Sequence, residues 1–167
     1  IRLVKDGIEV DSTLTDGSGN FSFAGLHAGT YTVSEALQSG WLETYPASPG
    51  TYTVVISSGT VVIDRDFGNF HLGTISGMKF VDQNGDGVKG VSEPGLANWR
   101  IRLARGGTSV DSALTDGNGN FSFTNLIAGT YTVSEQLQEG WFQSLPTAPG
   151  TYTVVITSGV SDTAKYF

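Results

Sequence analysis

"TDGNGNFSFTNLIAGTYTVSE", residues 115–135, decides the fold. Its "NFSF" and "TYTVSE" segments alternate aromatic or β-branched residues with small polar ones, the period of half-buried antiparallel strands. "TDGNGN" carries turn chemistry, with Asp and Asn to bond their own backbone and Gly to take a positive φ, and it predicts a tight hairpin. "AGT" interrupts the pattern again before the tyrosine strand. "TYTVVI" at 51–56 and 151–156 repeats the period of two, and no stretch has a helical period. The expectation is an all-β chain, a small sandwich of about seven strands per repeat.

The same stretch occurs twice. "VDSTLTDGSGNFSFAGLHAGTYTVSEALQSGW" at 10–41 returns as "VDSALTDGNGNFSFTNLIAGTYTVSEQLQEGW" at 110–141, and the offset of one hundred residues holds from Ile1/Ile101 to Phe67/Phe167. Self-similarity of this kind marks a tandem array. The second copy is preceded by "GTISGMKFVDQNGDGVKGVSEPGLANW", residues 73–99, for which the first has no counterpart. The chain therefore divides into a β-sandwich repeat truncated at its N-terminal side, 1–72, and a nearly complete one, 73–167. The opening strand of the first is expected from a preceding segment or from another copy, and the start at Ile1 without Met reads as a mature product or a fragment. The junction, 67–77, lacks the Gly/Ser or Pro run of a free tether, so neighbouring repeats are expected at a fixed angle.

A net charge of −7 with nine Lys plus Arg argues against a nucleic-acid partner, which needs a basic face. No run of about 18 apolar residues is present, so membrane insertion is not expected. The absence of cysteine excludes disulfides, zinc–thiolate sites and thiol catalysis. His27 and His71 stand alone, no nucleophile–base set emerges, and an enzyme is not expected.

"DQNGDGVKGVSE", residues 82–93, is chemically unlike its surroundings. It meets the pattern D-x-[DN]-x-[DN]-G-x5-E in full. Asp82, Asn84 and Asp86 occupy positions 1, 3 and 5, Gly87 permits the bend, Val88 offers its carbonyl at 7, and Glu93 closes at 12. An all-oxygen set of this kind suits Ca²⁺; the plainer alternative is an Asx-rich surface turn. The flanks are strand-like, so the loop is EF-hand-like on a β scaffold. Asp64, Asp66 and Asp116 are further candidate ligands. Against them, Asp116 sits where an Asp caps its own turn, and Asp64 and Asp66 where charges blunt an edge strand.

"GMKFVDQNGDGVKGVSEPGLANWRIRL", "TDGNGNFSF", "AGTYTVSE", "EGW" and "DFGNF" together resemble the SdrD B-type repeats of bacterial surface proteins, relatives of the collagen-adhesin B (Cna-B) domains. The resemblance implies a prealbumin-like β-sandwich, an extracellular or cell-surface setting, bound calcium, and repeats strung as a stalk beside neighbouring copies. Many Cna-B relatives carry a Lys–Asn isopeptide bond beside a Glu in the strand that Glu35 and Glu135 match. Here Phe80 stands where the Lys is expected and Lys79 is one residue off. By strand alternation Lys79 should face outward, with Glu135 a leftover or surface carboxylate and the bond absent. The functional expectation is a structural, calcium-stabilised segment of an extracellular fibre or stalk, with strand complementation as a mode of polymerisation. The alternative is an adhesin or accessory module recognising a host protein or glycan, for which the divergent "WLETYPASP"/"WFQSLPTAP" segment is the best surface.

Overall fold

The computed structural model describes residues 1–167, in two compact units, Ile1–Phe70 and His71–Phe167. The chain is all-β, a β-sandwich architecture with sheets that do not close. In the second unit the strands are β7 (Gly73–Met78), β8 (Arg100–Arg105), β9 (Thr108–Leu114), β10 (Asn120–Leu126), β11 (Gly129–Glu135), β12 (Thr151–Ile156) and β13 (Ser161–Tyr166). They form an antiparallel four-stranded sheet, β12-β11-β8-β9, and a three-stranded sheet, β10-β7-β13. The central strand β7 is antiparallel to β10 and parallel to β13. Alternate residues of both sheets point inward, and Ile75, Ile101, Leu103, Phe123, Val133 and Ile156 are fully buried between them.

The first unit has β1 (Arg2–Lys5), β2 (Ile8–Ser12), β3 (Gly29–Ser34), β4 (Trp41–Tyr45), β5 (Thr51–Ile56) and β6 (Gly68–His71). Its four-stranded sheet, β2-β1-β3-β5, repeats the order of the second unit's, residue for residue at the hundred-residue offset. Leu3, Tyr31, Val33 and Val54 form its core. No three-stranded sheet faces it. β4 and β6 pair as a separate two-stranded sheet.

Two turns fall elsewhere than the sequence pattern predicts. "TDGNGN" follows β9 and precedes β10, which lie in different sheets, so it is a corner between sheets and not a hairpin. The tight hairpins are at Asp6–Gly7 and Gly106–Gly107, where both central residues have positive φ (52° and 78°; 57° and 79°). That is the mirror-image turn that matches strand twist.

Candidate metal centre

Residues 79–99 carry the chain from the end of β7 to β8, across the two sheets. Backbone bonds fix both ends of the excursion. Lys79 N–H donates to Gly119 O (2.8 Å), Phe80 N–H to Phe167 O (2.9 Å), Val81 N–H to Pro94 O (2.9 Å) and Leu96 N–H to Lys79 O (2.8 Å). Residues 82–93 are thus a closed loop on a rigid base.

Inside it the oxygen side chains turn toward the loop's own amides. Asp82 Oδ1 accepts from Gly85 N–H (2.7 Å) and Asp86 N–H (3.2 Å), and its Oδ2 from Gly87 N–H (2.9 Å). A hydrogen bond from Ser144 and these amides hold the Asp82 carboxyl below the usual carboxylate range, against a smaller push from burial. Asn84 Nδ2 donates to Asp86 Oδ2 (2.8 Å), and Asp86 Oδ1 accepts from Val88 N–H (2.8 Å). Glu93 folds back over the loop and is buried, 7% exposed. Its Oε1 accepts from Gln83 N–H (3.0 Å) and its Oε2 from Gly90 N–H (2.8 Å).

The donor chemistry fits a hard cation: only oxygen ligands, in EF-loop order, with the closing carboxylate already in place. None of the chain's ion pairs involves Glu93. The carboxylates, however, spend their oxygens on amides, and no three carboxylate or imidazole groups converge into a cluster. Ser144 is the participant that motif reading missed. It belongs to the 141–150 segment, and no local spacing links it to the loop.

The remaining candidates do other work. Asp116 caps its own corner, accepting from Asn118 N–H (2.9 Å), Asn120 N–H (2.8 Å) and Asn120 Nδ2 (3.2 Å). Asp64 and Asp66 are exposed, Asp64 with a positive φ of 58°, and Tyr52 donates to the Asp66 carbonyl (2.7 Å).

The expectation that Lys79 faces outward is wrong. Lys79 is 4% exposed, and its Nζ lies 2.9 Å from Glu135 Oε2 and 4.9 Å from the centre of the buried Trp99 ring. Glu135 is neither a leftover nor a surface group, since its side chain is 1% exposed. The parity error came from anchoring on Phe80. Counted from Ile75 along β7, residues 77 and 79 share the inward face. Phe80 is buried as well because the chain leaves strand geometry after Met78. In the first unit the equivalent Glu35 accepts from Asn69 Nδ2 (2.8 Å). At the hundred-residue offset, the same glutamate position meets a lysine in the second unit and an asparagine in the first.

A two-sheet β-sandwich bearing an acidic loop between the sheets defines a class of structural module. Residues 73–154 match the model of the SdrD B-like domain, and the second unit is an SdrD B-type domain. The chain is similar to serine-aspartate repeat-containing protein F of Staphylococcus epidermidis, 30% identical over 152 residues, covering 84% of this chain and 9% of that protein. It is also similar to serine-aspartate repeat-containing protein C of Staphylococcus aureus, 31% identical over 156 residues, covering 85% of this chain and 16% of the relative. The chain thus spans a small part of these relatives' length. Among solved structures, the Bacillus anthracis TIE protein aligns over 99% of this chain and 29% of its own, at 18% identity and a TM-score of 0.48. A domain of the SdrD B type is an extracellular, cell-surface module and not an enzyme. No helix is long and apolar enough to cross a membrane.

Proposed function

We propose that the chain is a calcium-stabilised segment of a cell-surface stalk or fibre, built from tandem repeats that complete one another by strand addition. The observation that carries the calcium reading is Glu93. An ionised carboxylate taken out of water is costly unless a cation or a full set of donors meets it. Glu93 is buried with two amide partners and no cationic side chain. Asp82, Asn84, Asp86, the Val88 carbonyl and Glu93 would hold the ion, which would supply positive charge and tie the two sheets across the loop they share. Ligand bound only by the folded state adds RT ln(1 + [L]/Kd), about 2.7 kcal/mol at a hundredfold excess over Kd. Native mass spectrometry and titration calorimetry test this. One Ca²⁺ should bind to the chain and none to the Glu93→Gln variant. Binding unchanged in that variant, or no binding at all, contradicts the assignment.

A second reading, a recognition module, is favoured by Phe142, which is 86% exposed beside Trp141 in the divergent segment. A glycan array or host-matrix screen that gives a Phe142-dependent signal would support it.

A further inference from the structure

Of the four outer strands in the second unit's two sheets, three are broken. The ladder of β9 shifts register at Leu103/Ala104, that of β10 between Phe123 and Leu126, and that of β13 between Asp162 and Lys165. In the first unit the ladder of β2 shifts at the equivalent place, Leu3/Val4. Charged side chains add to these breaks. Asp11 Oδ1 accepts from Ser12 N–H on β2 (2.8 Å), Asp111 Oδ1 from Ser112 N–H on β9 (2.7 Å), and Asp162 pairs with Lys165 on β13. Bulges and charges of this kind keep a sheet edge from pairing with another chain.

β5 and β12 have neither. Each reads "TYTVVI" and pairs over all six residues with β3 or β11, without a shift of register. The segment is uncharged, free of Gly and Pro, and made of residues that favour strands. Its backbone makes no hydrogen bond outside the ladder. Val55 and Val155 are 65% and 60% exposed on the outer face, beside exposed Thr53 and Thr153. The strand is outermost both in the unit that contains β7 and in the unit that lacks it. The open edge is therefore a property of the four-stranded sheet itself.

We propose that this edge is a homotypic docking surface, where the same strand of a second copy adds antiparallel and extends the four-stranded sheet. The partner follows from the edge itself. Laid antiparallel on itself, "TYTVVI" sets Thr53 opposite Thr53 and Val55 opposite Thr51 on the outer face, and Tyr52 opposite Val54 on the inner one. No like charges meet, and the contact is self-complementary about a two-fold axis. An unrelated partner would need a charge or a pocket to read, and this edge offers neither. Main-chain bonds supply the affinity. One six-residue strand buries little area, so each contact is weak, and repeats in series strengthen it by multivalency. The proposal goes beyond the stalk reading and needs no metal.

The test uses the intact chain in EDTA, so that calcium plays no part. Sedimentation velocity should show reversible self-association that rises with concentration into the millimolar range, and amide exchange should slow at 51–56 and 151–156 as it does. Val55→Lys/Val155→Lys places a charge on the edge without touching either core. It should weaken association at least about tenfold, 1.4 kcal/mol or more, with an unchanged melting temperature. Ile8→Lys/Val110→Lys, at exposed positions on the guarded edges, should leave association intact. A chain that stays monomeric throughout overturns the proposal, as does equal association of the Val55→Lys/Val155→Lys variant. Equal weakening by Ile8→Lys/Val110→Lys overturns the choice of edge. Association that comes with loss of protection in β3 and β11 overturns the docking of folded copies, because unfolded chains would then be assembling.

Discussion

Two oppositely charged side chains meet inside the second unit. Lys79 and Glu135 form an ion pair that is almost wholly buried, against the Trp99 ring. Removing one partner from such a pair leaves a stranded charge and costs about 3–5 kcal/mol, whereas replacing both by apolar groups is often neutral. Urea unfolding should therefore show a large loss for Lys79→Met or Glu135→Gln and a recovery of most of it in the Lys79→Met/Glu135→Leu double variant. Additive losses would mean that the charges matter for something other than each other. Glu43 gives a second contrast. Its Oε1 is enclosed without a partner, and burial, then the charge of Glu35, push its carboxyl above the usual carboxylate range. Gln143, its counterpart, donates from Nε2 to the carbonyls of Leu145 (3.2 Å) and Gly150 (3.0 Å). Because the folded-state value is raised, the folded state holds the proton longer. Stability is unaffected below the unfolded-state range, falls as pH rises through the raised folded value, and stays lower above it. Glu43→Gln should flatten that slope for the first unit and raise its melting temperature at neutral pH. An unchanged slope would contradict the assignment. The acidic loop at 82–93 stood out in the sequence because its spacing is local and chemically specific. The inward Lys79 was legible too, had parity been taken from Ile75 in mid-strand and not from Phe80 beyond its end.

At the scale of elements, the strands were readable from their period of two, but their partners were not. "TDGNGN" carries hairpin chemistry and does fold as a tight turn, with Gly119 N–H bonded to Asp116 O (2.9 Å), but it joins two sheets and not two paired strands. Whether the next strand pairs with the last one or crosses to the other sheet depends on contacts far along the chain, and turn residues do not encode that. The hairpins at Asp6–Gly7 and Gly106–Gly107 did have a signal, an Asp-Gly or Gly-Gly pair between alternating segments. The close approach of β7 and β13 had none. Gly77 is glycine for lack of space and not for conformational freedom, since a Cβ there would enter the Lys165 carbonyl. Gly77→Ala should cost the second unit about 2 kcal/mol or more, at the upper end for overpacking. Gly117→Ala, where a Cβ meets nothing within 4 Å, is the control and should be near neutral. Thermal unfolding of both variants checks the pair, and equal effects would contradict the β7–β13 register.

At the scale of the whole chain, the duplication was visible at once from the constant hundred-residue offset, and it is repeated in the strand order and register of the two four-stranded sheets. The loop at 82–93 lies in the second unit, so a metal bound there should stabilise that unit and leave the first unchanged. Amide hydrogen exchange of the intact chain, in calcium and in EDTA, tests that most directly because it reads each unit separately. Calcium should slow exchange in residues 79–99 and in β7 and β8, and leave β1, β3 and β5 unchanged. Exchange in residues 79–99 that is identical in calcium and in EDTA would contradict the account.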